Sequence, residues 1–295
     1  MNSSPGLALS QARPTWLEWL KSHWPLALGF AVVAIPSLVR VAEQVWTTEA
    51  GAHGPIVLAT GIWLLTQVDW GTRERSETNF SRTVFYGAMV AALPIYVFGR
   101  AYDYISLEMG AVFLIMLGIA FHIVGSASLM RNFFPFLYLA FLIPPPLWLI
   151  DFLTLPLQHM ISAVVTDGLR MLDYPIQRSG VSMYIAQYQL LVEQACSGMN
   201  SIVGLTAIIL FHIYVLHRAS WRYSLLLAAL ILPVAVFANL LRVLALVLIT
   251  YYYGDAMAQG FLHVTTGIVL FGVALLTLFG IDYLLRRMLK IGDAA

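Results

Sequence analysis

The residue of this sequence best suited to covalent chemistry is Cys196, the one cysteine of the chain. It stands between Glu193 and the pair Ser197-Gly198, at the predicted beginning of an apolar helix. The positive end of a helix favours a thiolate, which is the form of cysteine that attacks carbonyl carbons. A lone cysteine in an apolar chain is more often a buried and inert side chain. A functional interpretation of Cys196 therefore needs partner residues elsewhere in the sequence.

Arg242 and His263 are the partners that the sequence offers. Arg242 lies inside an apolar segment, where a charge is costly and by default marks a functional site, and Asn239 lies one turn away on the same helical face. The alternative for Arg242 is a cation that extends to the lipid headgroups and anchors its helix. His263 is near the start of the last apolar segment, and His53 lies in the first loop on the same predicted side of the membrane.

These residue types are sufficient for acyl transfer. A thiolate is the nucleophile, an imidazole moves protons near neutral pH, and a guanidinium holds developing negative charge. The sequence contains no carboxylate pair, glycine-rich phosphate loop, HExxH or GxSxG motif, and one cysteine cannot form an intramolecular disulfide or a cysteine zinc cluster. We therefore expect neither a metal nor a cofactor.

Composition shows what kind of fold must position these residues. Of the 295 residues, 60% are hydrophobic and 11% are charged, and the mean hydropathy is +0.81. Soluble domains are about 25% charged, so this chain has too little polar surface for a soluble enzyme. The net charge of +1 gives no reason to expect nucleic acid as a partner. The sequence predicts an all-α polytopic membrane protein.

Eight segments come close to the roughly 20 residues that a membrane span needs, although two of them are short. The predicted spans are 25–41, 55–69, 83–99, 104–125, 133–152, 197–216, 224–249 and 261–285. Residues 1–24 are predicted to be a cytoplasmic arm, 25–285 a single transmembrane domain and 286–295 a basic cytoplasmic tail. With both termini inside, eleven Lys and Arg residues fall in inner segments and three in outer ones, as the positive-inside rule requires. This orientation puts Cys196, Arg242 and His263 near the outer boundary.

The long connection between the fifth and sixth predicted spans is expected to have structure of its own. Apolar residues at helical spacing predict an amphipathic helix over 156–172, either lying at the outer interface or packed as a re-entrant segment. After Gly180 the apolar residues alternate with polar ones, with a break near Ala186, and this pattern predicts a short β-hairpin. The hairpin would lead the chain directly to Glu193 and Cys196.

Three motifs resemble the exosortase/archaeosortase family: Ala195-Cys196-Ser197-Gly198, Asn239-Leu240-Leu241-Arg242, and His263 in the last segment. His53-Gly54 and the prolines 144–146 followed by Asp151 add to a resemblance that covers about residues 41–285. The resemblance implies a cysteine-type peptidase and transpeptidase of the bacterial inner membrane. It implies that Cys196 forms an acyl-thioester and that Arg242 and His263 complete a catalytic triad.

The same resemblance implies the class of substrate. Members of this family act on exported proteins with a C-terminal sorting signal of the PEP-CTERM kind, which consists of a short motif, a spanning helix and a basic cluster. The new C-terminus passes to an acceptor in the cell envelope, for which a glycolipid is a candidate. Because a guanidinium rarely gives up its proton, we expect Arg242 to hold negative charge and His263 to carry protons. Asn239 would orient Arg242 or donate to the oxyanion.

Two other functions are compatible with the residues alone. A multi-span transporter could use Arg242 as an anion site, although the two halves of the chain show no convincing repeat of the kind common in transporters. A non-catalytic membrane scaffold would need none of the three residues. Both alternatives predict that the function survives the loss of the Cys196 thiol.

Overall fold

The structure is a computed structural model that describes residues 16–48, 51–68, 79–191, 200–216, 221–254 and 261–289. Its helices are α1 (Trp16–Gln44), α2 (Gly54–Gln67), α3 (Asn79–Ala101), α4 (Ile105–Arg131), α5 (Phe134–Leu139), α6 (Leu147–Arg170), α7 (Asn200–Leu216), α8 (Trp221–Tyr253) and α9 (Phe261–Leu289). A 3₁₀ turn, Ala140–Leu142, follows α5. The strands are β1 (Ile176–Ser179), β2 (Ser182–Ile185) and β3 (Tyr188–Leu191).

The helices have the length and apolar composition of a helical membrane protein. Within the described residues, four stretches are long and apolar enough to cross a membrane: Trp24–Gln44, Arg82–Ala101, Ile105–Arg131 and Leu225–Tyr253. Two shorter apolar stretches, Gly54–Gln67 and Val203–Val215, lie in α2 and α7. The predicted count of eight spans is not confirmed.

The predicted fifth span, residues 133–152, is wrong as a continuous helix. The helical chain stops after the 3₁₀ turn at Leu142, is non-helical from Ile143 to Pro146, and becomes helical again at Leu147. Pro144, Pro145 and Pro146 explain the break, because proline has no N–H to donate and disfavours helical geometry in the residue before it. α6 then runs through the predicted amphipathic segment to Arg170.

A three-stranded antiparallel sheet, in the order β1-β2-β3, follows α6. The β1–β2 turn has Gly180 at φ 63°, and the β2–β3 turn has Ala186 at φ 51°, where the alternating pattern of the sequence breaks. The predicted hairpin corresponds to β2 and β3, and β1 is an added strand that pairs Ile176 with Ile185. Only Ile176 of β1 is buried, so β1 has no alternating pattern for sequence analysis to detect.

The sheet is held against two helices by a hydrophobic cluster. Its buried members are Ile161, Val165 and Leu169 of α6, Ile176, Met183, Ile185 and Leu190 of the sheet, and Val243, Leu246 and Val247 of α8. The sheet therefore packs on the part of α8 that immediately follows Arg242.

A buried charge cluster links α1, α3 and α4. The Glu108 side chain is fully buried and accepts hydrogen bonds from the Ser37 hydroxyl (2.6 Å) and from Arg100 (2.8 Å). It also pairs with Arg40, which in turn pairs with Asp103. A buried carboxylate is tolerated only when its charge is compensated, and here two arginines from different helices supply that compensation.

Candidate active site

Asp282 connects α7, α8 and α9 at the end of these helices opposite the sheet. The Tyr223 hydroxyl donates to Asp282 Oδ1 at 2.6 Å, and His212 Nε2 lies 3.2 Å from Oδ2. Arg286 Nε lies 3.6 Å from the same oxygen. Asp282 itself is buried. We call these four residues the Asp282 cluster. The cluster joins α7, α8 and α9, which are the three helices that carry or adjoin the predicted catalytic residues.

Tyr223 remains a hydrogen-bond donor in this cluster over the physiological pH range. Burial raises the pKa of Tyr223, and so do the hydrogen bond to Asp282 and the negative charge of the Asp282 carboxylate. Together they raise this pKa from 10.0 to about 12. The phenol therefore stays neutral, and a neutral phenol can donate to the carboxylate.

Substitution of Tyr223 by phenylalanine is expected to destabilise the protein by about 1–2 kcal/mol, because it leaves a buried carboxylate oxygen without its donor. Tyr283→Phe is the matched control. It also removes a phenol hydroxyl, from the residue that follows Asp282 in α9, where the tyrosine side chain is 64% exposed. Thermal unfolding in detergent micelles measures both variants. Equal midpoints for the two would contradict a stabilising role of the Tyr223–Asp282 contact.

Arg242 and Asn239 lie on the same side of α8 as Ala235 by helical spacing. Ala235 belongs to a buried cluster that contains Leu205 and Ile209 of α7 and Ala274 and Leu278 of α9. Asn239 and Arg242 follow Ala235 by four and seven residues, which is one and two helical turns. Their side chains are only 4% and 3% exposed. Arg242 is therefore buried within the protein, and the alternative of a cation on the lipid-facing surface is wrong.

By residue count, Arg242 and position 263 are equally far along their helices from the Asp282 cluster. Residues 223 and 242 of α8 are nineteen residues apart, and so are residues 263 and 282 of α9. Nineteen residues of α-helix correspond to about 28 Å, and the Tyr223–Asp282 hydrogen bond joins the two starting points. Position 263 precedes Ala274, a member of the same buried cluster as Ala235, by eleven residues, which is about three helical turns. The side chain of His263 lies outside the described part of the structure.

Asn239 has an unusual environment for an amide. Neither Nδ2 nor Oδ1 of this buried side chain has a hydrogen-bond partner among the described residues. An amide that is buried without a partner costs free energy, on the order of 1–3 kcal/mol. Thr250 on the same helix differs from Asn239, because its buried hydroxyl donates to the Leu246 carbonyl.

The structure brings His53 to α7. His53 precedes α2, and a Cβ built at Gly204 would lie 3.3 Å from the His53 Cβ. The missing side chain at Gly204 thus leaves room for the His53 side chain against α7, eight residues after Cys196 in the sequence. His53 is half-buried at this position.

Cys196 and Glu193 lie outside the described residues, which stop at Leu191 and resume at Asn200. The described chain on each side of them is held against α8. Leu190 of β3 packs with Val243, Leu246 and Val247, and Leu205 of α7 packs with Ala235. In the described residues, no group of three His, Cys, Asp or Glu side chains could hold a metal ion.

Sequence analysis missed the Asp282 cluster, although one signal was available. Asp282 is a carboxylate within the last predicted span, residues 261–285, and a charge inside a span is expected to have partners. Its partners come from α7 and α8, at separations of 70 and 59 residues. Such long-range contacts leave no local pattern in the sequence.

Comparison with known families agrees with this architecture. The family model described as Transmembrane exosortase (Exosortase_EpsH) matches residues 45–280, which is most of the chain. Searches of curated proteins and of solved structures find no match. The matched region contains Cys196, Arg242 and His263, and it confirms the resemblance seen in the sequence motifs. The chain therefore belongs to the transmembrane exosortase family.

Proposed function

We propose that this protein is a membrane-embedded cysteine peptidase and transpeptidase that cleaves C-terminal, PEP-CTERM-like sorting signals of exported proteins through an acyl-thioester. The observation that carries the proposal is the position of Arg242. This buried guanidinium lies on the same side of α8 as Ala235 by helical spacing. By residue count it is as far along its helix from the Asp282 cluster as position 263 is, and this equality supports a cation and a histidine at one depth of the same three-helix unit.

Chain geometry is compatible with Cys196 at that depth. Residues 200 and 212 of α7 are twelve residues apart, so Asn200 lies about 18 Å from the His212 level. Arg242 lies about 10 Å farther in the same direction. Cys196 is four residues from Asn200, and four residues reach at most about 14 Å. The thiol can therefore reach the level of the guanidinium without any rearrangement of α7.

The proposed reaction uses the three residues in distinct roles. The Cys196 thiolate attacks the carbonyl carbon of the scissile peptide bond, and Arg242 holds the resulting oxyanion. The C–N bond then breaks, the leaving amine takes a proton from His263, and the acyl group stays on sulfur as a thioester. An acceptor nucleophile gives its proton to His263, attacks the thioester and releases the thiolate.

Two residues support this centre in the proposal. His53 supports it because its side chain lies next to Gly204 of α7, eight residues after Cys196 in the sequence. Glu193 supports it because it precedes Cys196 by three residues in the same segment.

The proposal places the centre at the periplasmic side of the bacterial inner membrane, with both termini in the cytoplasm. The excess of Lys and Arg in the predicted inner segments supports this orientation. The spanning helix of a substrate would then put its adjoining motif at the depth of Arg242. The basic cluster at the other end of that helix would stay on the cytoplasmic side by the same rule. Membrane lipid surrounds the complex, and an envelope glycolipid is the proposed acceptor.

Mass spectrometry of a co-expressed substrate tests this function. The substrate is a tagged exported protein that ends in the short motif, a spanning helix and a basic cluster. With the wild-type protein we expect an N-terminal fragment that ends within the motif and bears either an added group or a free carboxylate. Membranes that lack the protein, and membranes that contain the Cys196→Ala variant, should yield the intact substrate.

The outcomes of this experiment separate the alternatives. An intact substrate in all three membranes would overturn the proposal. Normal cleavage by the Cys196→Ala variant would exclude the thioester route. Solute uptake into vesicles that survives Cys196→Ala, without any cleavage, would instead indicate the transporter, with Arg242 as its anion site.

A further inference from the structure

The Asn239 amide is buried in the bundle with both of its polar atoms unpartnered among the described residues. No water is available inside a bilayer to satisfy such a group, so its isolation is more costly there than in a soluble protein. Arg242 lies three residues away on the same helix, yet Asn239 Oδ1 accepts no hydrogen bond from it. Orientation of Arg242 by Asn239 is therefore not what this amide does in the free protein.

The chemistry of the amide limits what could bind to it. A side-chain amide has a donor, Nδ2, and an acceptor, Oδ1, so a ligand that satisfies both must itself offer an acceptor and a donor. An oxyanion or a lipid ester only accepts, and would leave Oδ1 unpaired. A peptide backbone offers C=O and N–H groups together and satisfies both atoms.

The position of Asn239 relative to Arg242 indicates which part of a bound peptide would contact Asn239. Asn239 lies one turn, about 4.5 Å, nearer to the Asp282 cluster than Arg242. A substrate whose scissile carbonyl lies at Arg242 and whose helix continues into the bilayer would pass Asn239 just after the cleaved bond. At that point the first turn of the substrate helix has N–H groups without intrahelical partners.

We infer that Asn239 is a substrate-binding residue: its Oδ1 accepts from a free backbone N–H in the first turn of the helix of the sorting signal, and its Nδ2 donates to the backbone C=O just before that helix. The inference rests on the proposed function and adds the recognition of the helix start to it. Asn239 recognises backbone rather than side chains, so it selects for a chain that becomes helical directly after the cleavage motif. It thereby aligns the scissile bond with Arg242.

Binding of a synthetic peptide to the full-length Cys196→Ala protein in detergent micelles tests the inference without turnover. The probe has a polar motif, a 20-residue Leu-Ala helix and a lysine cluster. Asn239→Leu keeps the number and branching of the side-chain heavy atoms and removes both polar atoms. We expect this variant to bind the probe about tenfold more weakly, as the loss of two hydrogen bonds requires. We also expect its thermal midpoint without peptide to be unchanged or higher, because the free protein loses only an unpaired amide.

A second probe tests whether Asn239 binds the backbone of the peptide rather than its side chains. An ester in place of one amide in the first helical turn removes a single N–H donor. The protein with Asn239 should bind the ester probe more weakly than the amide probe, and the Asn239→Leu variant should bind the two equally. Phe237→Leu, at a 60% exposed position of the same helix, is the matched control and should leave both affinities unchanged.

The results distinguish failure of the inference from failure of the proposed function. A lower thermal midpoint for Asn239→Leu, with unchanged affinity, would show a structural role and overturn the inference. Equal sensitivity of both proteins to the ester would also overturn it. Cleavage by the wild-type protein, measured separately on the tagged substrate, would still support the peptidase. No binding of the amide probe by either protein, together with no cleavage, would overturn both.

Discussion

Replacement of Cys196 by alanine is expected to reduce the rate of substrate cleavage by about 10⁴-fold or more, because the nucleophile of a covalent mechanism has no substitute. The variant should insert into the membrane and unfold at the wild-type temperature, since one small side chain is lost. Cleavage is measured as the initial rate of product formation in membranes with matched amounts of each protein. A residual rate within tenfold of the wild-type rate would contradict a nucleophilic role.

The single cysteine makes an independent test of the same prediction possible. A thiol reagent can label only Cys196 in this chain, so alkylation should abolish cleavage in proportion to the label. A membrane-impermeant maleimide should label it from the periplasmic side of spheroplasts. Labelling from the cytoplasmic side alone would contradict the proposed orientation of the membrane protein, and full activity of the fully labelled protein would contradict the chemistry.

Replacement of Arg242 by lysine is expected to lower kcat by about 10²- to 10³-fold, the usual effect of losing an oxyanion donor. Lysine keeps the charge but lacks the planar fork that can hold two oxygens at once. The side chain is 3% exposed, so a displaced ammonium has little room to find an equivalent position. Arg242→Ala should lose at least as much activity and should also slow the alkylation of Cys196 at neutral pH, because the nearby positive charge no longer favours the thiolate.

The control for Arg242 is a substitution of the same type at an exposed arginine. Arg131→Lys lies at the last residue of α4, where the side chain is exposed, and should leave kcat and the thermal midpoint unchanged. If Arg242→Lys kept full activity, the guanidinium would act only as a point charge, and the proposed oxyanion geometry would be wrong. If it lowered kcat and the thermal midpoint together, the loss would reflect packing rather than chemistry.

The sequence predicted well those features that depend on local patterns. The apolar segments indicated a helical membrane protein, and the alternation on either side of Ala186 indicated strands where β2 and β3 form. The motif around Cys196, the Asn239–Arg242 spacing and the place of His263 indicated the family. Each of these signals lies within a few residues, so no knowledge of tertiary contacts is needed to see it.

Local patterns were insufficient where neighbouring elements decide the outcome. Residues 133–152 have the composition of a span, yet three consecutive prolines end the helix before it could cross a bilayer. β1 has one buried residue and is a strand only because β2 provides its hydrogen-bond partners. The burial of Arg242 could not be read from its own helix, because a lipid-facing and a bundle-facing arginine have the same sequence context.

The sequence by itself determined the type of protein, the chemistry available to it and the family, because these depend on composition and on short motifs. Only the tertiary structure decided that Arg242 is buried within the protein and that the Asn239 amide is buried without a hydrogen-bond partner among the described residues. Burial of this kind depends on contacts between residues far apart in the chain, such as those of Asp282 with Tyr223 and His212. Such contacts set how the helices are aligned, and that alignment determines which polar groups can meet.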